Sequence, residues 1–132
     1  EFVAYIQPTS PLWRVSDLVK CLNVLKIRSD FLSAVAVTEV GTHPFRMKRL
    51  IGGERLINFV DQGFEDMRPR QLLPKVYKRA GSIYVSRREV ILNKETLVDN
   101  QCYGLVVPRN TAIDIDDYID LLTVESIIKR KK

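Results

Sequence analysis

The first eleven residues contain the feature that most limits how this chain can fold: an apolar run that ends in a turn bracketed by prolines. Residues 2–6 read Phe-Val-Ala-Tyr-Ile, and residues 7–11 read Gln-Pro-Thr-Ser-Pro. The apolar run predicts a strand buried on both faces, and the prolines end it because they donate no backbone hydrogen bond. Ser10 is suited to cap a helix whose first residue is Pro11. We therefore expect a strand-to-helix turn at the edge where open α/β sheets bind ligands.

The pattern downstream predicts an α/β fold. Apolar residues at helical spacing predict an amphipathic helix over residues 15–27, and a β-branched run over 33–40 predicts a second strand. Strand, helix and strand together predict a βαβ unit with a parallel sheet. Further strands are expected at 82–86 and 103–107, and helices at 87–92 and after Asp117. The predicted stripe of the first helix is Val15, Leu18, Val19, Leu22 and Leu25, with Cys21 and Leu22 in the core.

Residues 41–74 differ in character from the rest of the chain. They hold turn signals, among them Gly52-Gly53, and short apolar pieces without a helical stripe. We interpret this segment as a hairpin-like excursion with long loops, inside a single domain of residues 1–132. Loops of this length in compact domains are usually functional or disordered.

Composition excludes several classes of protein. The only cysteines, Cys21 and Cys102, make no disulfide framework, and His43 is the only histidine, which argues against a zinc site. No apolar run approaches a membrane span and no signal-peptide pattern is present. The sequence also lacks the motifs of P-loop kinases, nicotinamide dehydrogenases and triad hydrolases. We expect a cytoplasmic protein with reduced thiols and no membrane partner.

The net charge of +5 leaves the partner open. Residues 129–132 read Lys-Arg-Lys-Lys, which suits either a solvated helix end or a nucleic-acid-binding tail, although no aromatic interleaving accompanies it. The other basic residues cluster between Arg46 and Arg88, and such a cleft would also suit a small anionic ligand.

Three carboxylates, Asp114, Asp116 and Asp117, lie together near the end of the chain. In an extended segment Asp114 and Asp116 would project to one side, where two carboxylates favour a cation between them. Mg²⁺ takes one or two protein carboxylates plus substrate phosphates. The alternative is that Asp116 and Asp117 cap the last helix while Asp114 is solvated.

Four segments, taken in order, resemble the acylneuraminate cytidylyltransferases, which make CMP-sialic acid and related sugars. Residues 6–12 (Ile-Gln-Pro-Thr-Ser-Pro-Leu) are similar to the strand-to-helix turn of that family, and 38–46 to its Val-Thr-Glu segment and His-Pro element. Residues 69–84 are similar to its Arg-Gln-x-x-Pro and Asn-Gly-Ala-Ile-Tyr block. Residues 113–116 (Ile-Asp-Ile-Asp) are similar to its metal motif.

The resemblance implies a Rossmann-like nucleotidyltransferase sheet in three α/β/α layers and a reaction that joins CTP to a nonulosonic acid with release of pyrophosphate. Asp114 and Asp116 would hold Mg²⁺, and Arg70 would meet the anionic sugar or phosphate. The implied substrate-binding residues are Gln7, Thr9, Ser10, Arg46, Gln71, Tyr77, Gly81 and Ser82. The resemblance also implies a homodimer in which residues 41–74 contact the partner and bury Phe59, Val60 and Phe64.

The chain departs from the family pattern in three places. Ala80 replaces the usual Asn and Trp13 replaces a common Arg. The N-terminal strand and the glycine-rich loop that binds the triphosphate have no counterpart in these 132 residues. We therefore expect an N-terminally incomplete fold, and we expect that this chain alone does not catalyse the family's reaction. Two alternatives stay open: an inactive truncated homologue that acts as a binding or assembly module, and a basic nucleic-acid-binding domain.

Overall fold

A computed structural model describes residues 1–130, which form six strands and three α-helices. The strands are β1 (Phe2–Ile6), β2 (Ser33–Glu39), β3 (Lys48–Ile51), β4 (Arg55–Asn58), β5 (Tyr77–Arg87) and β6 (Cys102–Val106). The helices are α1 (Val15–Ile27), α2 (Arg88–Lys94) and α3 (Tyr118–Arg130). Lys131 and Lys132, half of the terminal basic run, lie outside the described residues. The α/β class is confirmed.

The chain divides into two compact units. The first unit comprises Glu1–Thr38 together with the chain from Lys78 onward, and the second comprises Glu39–Tyr77. Within residues 1–130, no helix combines the length and apolar character needed to cross a membrane.

The main sheet is mixed, with the strand order β1-β5-β2-β6. β2 and β6 pair in parallel, as expected, but β1 pairs antiparallel with β5, and Phe2 lies opposite Arg87. The βαβ pattern predicted a parallel sheet, and the observed sheet is mixed. The reason is β5, an eleven-residue strand that lies between β1 and β2 and runs antiparallel to β1.

β1 is an edge strand, so the prediction that it is buried on both faces was also wrong. Phe2 and Ile6 pack against the core cluster of the first unit. The alternate side chains, Val3 and Tyr5, are 39% and 44% exposed. Phe2 and Ile6 are only half-buried and the three residues between them are exposed, so neither face of β1 is fully buried.

The first helix begins later than the turn predicted. Its N-cap is Arg14, without a side-chain cap bond, so Ser10 caps nothing. Cys21 and Leu25 are fully buried, and Leu18 and Leu22 pack against the same core. Val15 and Val19, by contrast, are exposed.

The buried face of α1 also includes Asp17. This carboxylate is nearly inaccessible and accepts hydrogen bonds from Arg14 Nε at 2.8 Å and Lys20 Nζ at 3.3 Å. The two cations compensate a carboxylate that would otherwise be costly to bury. Ion pairing therefore allows a charged residue on the buried face of α1, where hydropathy alone predicts only apolar residues.

Both cysteines are free thiols, as predicted. Burial raises the pKa of Cys21 to about 11 and also raises that of Cys102. A thiol with a raised pKa is a poor nucleophile near neutral pH. Cys21 belongs to the core cluster of the first unit, and Trp13 packs against that cluster.

The second unit is built on an antiparallel hairpin. β3 and β4 pair with Leu50 opposite Leu56, and the connecting turn contains Gly52 and Gly53 at φ of 61° and 79°. Positive φ angles cost glycine little. Farther along, the Arg68 guanidinium donates to both oxygens of Asp66, at distances from 2.7 to 3.2 Å.

The Asp66–Arg68 pair predicts an acid-sensitive second unit. The hydrogen bond from Arg68 lowers the pKa of Asp66 to about 2, against about 3.9 for an unfolded aspartate. The stabilisation is therefore fully present above about pH 4 and is lost as pH falls towards 2. We expect Asp66→Asn to flatten the decline in unfolding free energy between these pH values, measured by urea titration. Glu54→Gln, which removes an exposed carboxylate of the hairpin turn, is the control and should retain the wild-type slope.

Candidate functional site

Two segments far apart in sequence meet in the first unit. Ser10 is fully buried, and its Oγ donates to Asp114 Oδ1 at 3.1 Å. Beside this bond, the backbone N–H of Ile115 donates to the carbonyl of Thr9 at 2.8 Å. The proline-bracketed turn is thus tied to the Ile-Asp-Ile-Asp segment through both a side chain and the backbone.

Gly81 completes this junction. Its φ is 77°, and a Cβ added there would lie 2.9 Å from Ser10 Oγ and 3.1 Å from Asp114 Oδ2. The backbone of β5 therefore approaches these two side chains closely at Gly81. Only a residue without a Cβ allows β5 to pass this close to Ser10 and Asp114. We call Ser10, Gly81 and Asp114 the Ser–Gly–Asp junction.

The same glycine changes which way β5 side chains point. In a regular strand, residues an odd number apart point to opposite faces. Ala80 and Ile83 are three apart, yet both belong to the core cluster. Arg79 and Tyr84 are five apart, yet both line one cavity. A glycine with positive φ inside a strand commonly re-aims side chains in this manner.

That cavity has a volume of about 420 Å³ and lies wholly in the first unit. Its lining consists of Tyr5, Gln7, Arg79, Tyr84, Glu95, Thr96, Leu97 and Val98. The rings of Tyr5 and Tyr84 meet edge to face with centroids 6.0 Å apart. The backbone N–H of Gln7 donates to the carbonyl of Ser82 at 3.3 Å, which holds Gln7 beside β5. Two aromatic rings, one amide and one charge of each sign suit a polar ligand with an apolar face.

Asp116 has a different environment from Asp114. Residues 113–117 are not part of a strand, and Asp116 is exposed whereas Asp114 is half-buried. Asp117 caps α3, since its Oδ1 accepts from Asp120 N at 2.9 Å while Asp120 Oδ2 accepts from the backbone of Asp116 and Asp117. Helix capping by Asp117 is therefore confirmed. Within residues 1–130, no three His, Cys, Asp or Glu side chains are grouped as metal ligands.

Arg70 and Gln71 lie in the second unit, at a cavity of about 370 Å³. Arg70 Nη2 donates to the carbonyl of Val40 at 2.8 Å and approaches Glu39 Oε1 at 3.5 Å. Lys75 also lines this cavity. The sequence block that contains Arg70 and Gln71 thus folds back onto the segment that contains Glu39.

His43 joins the two ends of the same cavity. It is buried, its Nδ1 accepts from Phe45 N at 3.2 Å, and its Nε2 lies 3.1 Å from the carbonyl of Pro74. Because a carbonyl only accepts, Nε2 is the ring nitrogen that donates in the contact with Pro74. The only histidine therefore has a structural role in the second unit.

Arg46 and Tyr77 are the remaining predicted site residues, and both are exposed. Arg46 lies in a short 3₁₀ helix (Pro44–Arg46) and donates to the carbonyl of Arg68 at 2.7 Å. Lys48, two residues further on, belongs to β3, so Arg46 and Lys48 lie on different elements. Tyr77 begins β5.

Sequence reasoning missed two features of the first unit. It assigned Ser10 to a helix cap rather than to Asp114, and it did not single out Arg79 within the basic cluster between Arg46 and Arg88. The available signal for Arg79 was Gly81, since an isolated glycine in a strand pattern suggests a bulge. The sequence pattern alone does not predict which side chain changes face at such a bulge.

The Ser–Gly–Asp junction predicts a large cost for a methyl group at residue 81. Gly81→Ala should lower the unfolding free energy by about 1–2 kcal/mol for the left-handed backbone and by about 1–3 kcal/mol more for the clash. Gly53→Ala is the matched control, because its φ of 79° is equivalent but nothing lies within 4 Å of its added Cβ. Urea unfolding measures both. Equal losses in the two variants would contradict the close packing at Ser10 and Asp114.

Comparison with known proteins supports the resemblance. No family model matches this chain. An N-acylneuraminate cytidylyltransferase of Streptococcus agalactiae serotype V is 26% identical over 129 residues, which cover 94% of this chain and 29% of that protein. A CMP-N,N'-diacetyllegionaminic acid synthase of Campylobacter jejuni is 34% identical over 62 residues, 47% of this chain and 26% of that protein.

A third relative, a post-translational flagellin modification protein B of Campylobacter coli, is 32% identical over 62 residues, again 47% of this chain and 26% of that protein. The chain therefore spans less than a third of the length of the curated relatives it matches. The similarity to the Streptococcus protein extends over nearly the whole chain at low identity. The resemblance to the acylneuraminate cytidylyltransferases is confirmed: this chain is their distant relative.

Proposed function

We propose that this chain forms the acceptor-binding and metal-binding portion of a CMP-sugar synthetase that transfers CMP from CTP to N-acetylneuraminic acid or a related nonulosonic acid. Two relatives are named for this chemistry, as an N-acylneuraminate cytidylyltransferase and a CMP-N,N'-diacetyllegionaminic acid synthase. Within the chain, the support comes from the first unit. The finer fold assignment, a Rossmann-like nucleotidyltransferase sheet, belongs to the same proposal.

The observation that carries the proposal is the Ser–Gly–Asp junction. Three segments singled out by the resemblance, around residues 10, 81 and 114, are distant in sequence and touch one another. Segments chosen for similarity to one family's site are expected to be close in space if they form that site, and these three are. Gln7, three residues before Ser10, and Tyr84, three residues after Gly81, line the same cavity.

The donor set fits Mg²⁺. Magnesium binds through one or two carboxylates while substrate phosphates and water fill its other positions. Asp114 and Asp116 supply hard oxygen ligands in that number, and the hydrogen bond from Ser10 orients the Asp114 carboxylate. When bound, Mg²⁺ would neutralise charge on the nucleotide phosphates.

The remaining work of the chain is positioning. In the proposed reaction the anomeric hydroxyl of the sugar attacks the α-phosphorus and pyrophosphate leaves, so no covalent enzyme intermediate is required. Gln7 and the neighbouring tyrosines would hold the sugar, and Arg70 and Gln71 would offer donors to an anionic group. The 132 residues contain no glycine-rich phosphate loop. We therefore propose that the chain binds the acceptor and the CMP-sugar product but does not convert CTP by itself.

Asp116→Ala tests the metal assignment. We expect the wild-type chain to bind CMP-N-acetylneuraminic acid only with Mg²⁺, and Asp116→Ala to lose this binding while melting like the wild type, because Asp116 is exposed. Isothermal titration with and without EDTA measures the effect.

Asp30→Ala provides the control, since Asp30 is also an exposed carboxylate and pairs only with Arg28. Unchanged magnesium-dependent affinity in Asp116→Ala would remove the metal assignment. Tight binding of short DNA in place of the CMP-sugar would favour the nucleic-acid-binding alternative.

We also propose that the chain is a homodimer that associates through the second unit. Phe59 and Phe64 are 62% and 56% exposed, and Val60 between them is half-buried. Other large apolar side chains of this unit are exposed as well, namely Leu50, Ile51, Leu56, Met67 and Leu72. Apolar groups concentrated in this way on one small unit are typical of an association surface.

Light scattering at tens of micromolar should give the mass of a dimer, and Phe59→Glu should shift it to that of a monomer because a charge replaces buried apolar area. Ile27→Glu is the control, since Ile27 is also exposed but lies on α1 in the first unit. A monomeric wild type, or equal effects of both substitutions, would count against association through the second unit.

A further inference from the structure

Arg79 differs from the arginines of this chain that form ion pairs. Several others form ion pairs, namely Arg14 with Asp17, Arg28 with Asp30, Arg68 with Asp66, Arg70 with Glu39 and Arg88 with Glu1. Arg79 is paired with no carboxylate of residues 1–130, including Glu95, which lines the same cavity. Its five N–H donors are therefore available to a ligand anion.

The backbone places Arg79 at the cavity for a specific reason. Regular alternation along β5 would put residue 79 on the same face as Ile83 and Val85, which are buried in the core. The left-handed conformation of Gly81 shifts the alternation, so that Ala80 enters the core and Arg79 lines the cavity with Tyr84. Gly81, which allows the Ser–Gly–Asp junction to form, therefore also places the Arg79 guanidinium in the same cavity as Gln7.

The lining of the cavity indicates the kind of ligand. An arginine side chain binds a carboxylate with two parallel hydrogen bonds. Gln7 both donates and accepts, Glu95 accepts from hydroxyl groups, and the rings of Tyr5 and Tyr84 offer an apolar surface. A sugar with one carboxylate and several hydroxyl groups satisfies all of these groups at once.

From these observations we infer that Arg79 determines acceptor specificity by binding the carboxylate of the sugar acid in this cavity. Arg79 is not among the residues implied by the family resemblance, and the inference depends on the proposed function for the identity of the acceptor. It predicts that the chain distinguishes an acid from its neutral ester, and that residue 79 makes the distinction.

The test compares N-acetylneuraminic acid with its C1 methyl ester by NMR titration of the 132-residue chain. We expect Arg79→Ala to weaken binding of the acid about tenfold or more, as for a lost hydrogen bond to a charged group, and to leave binding of the ester unchanged. Arg79→Lys should recover part of the affinity, because lysine keeps the charge without the bidentate geometry. Arg79 is exposed, so its substitution should leave the melting temperature unchanged.

Lys78→Ala is the matched control. Lys78 neighbours Arg79 on β5, is exposed, and does not line the cavity. Lys78→Ala also removes one positive charge, and it should leave binding of the acid unchanged.

Acid binding that survives Arg79→Ala, or that falls equally in Lys78→Ala, would overturn the inference and leave the proposed function standing. A wild-type chain that binds neither the acid nor the ester would overturn both.

Discussion

The hydrogen bond from Ser10 Oγ to Asp114 Oδ1 is the interaction on which the first unit depends, because it joins residues 104 positions apart at a buried point. A buried hydroxyl without a partner costs about 1–3 kcal/mol, so the turn after β1 and the segment before α3 stabilise each other. Gly81 permits the contact by lacking a Cβ. Fold and candidate site are therefore coupled, since the groups that hold these segments together are those proposed to face the metal and the sugar.

Local patterns in the sequence located the helices, although not the N-terminal cap of α1. The apolar spacing predicted the end of α1 at Ile27, and the cluster of aspartates predicted a cap of α3 at Asp116 or Asp117, of which Asp117 is observed. Strand order was not predictable in the same way, because pairing is decided by contacts distant in sequence. An apolar run such as residues 2–6 is compatible with a central or an edge position, and the insertion of β5 beside β1 made it an edge. Ser10 shows the same limit, since a serine after a proline turn suits either a helix cap or a distant carboxylate.

The candidate site was predicted from a resemblance, and the structure divides it into two groups of residues. Those around the Ser–Gly–Asp junction lie in the first unit, whereas Arg46, Arg70, Gln71 and Tyr77 lie in the second. Motif matching placed these residues in one list because a motif carries no information about compact units. Arg79 was not among the predicted site residues. Its position at the cavity depends on the positive φ angle of Gly81, and the neighbouring residue types do not reveal that angle.

Trp13 gives this division into units an optical consequence. It is the only tryptophan in the chain, and it packs against the core of the first unit. Selectively excited tryptophan emission therefore reports on that core alone, while far-ultraviolet circular dichroism sums the backbone of both units. A difference between the two signals during heating would measure the independence of the Glu39–Tyr77 unit directly, without a label or a substitution.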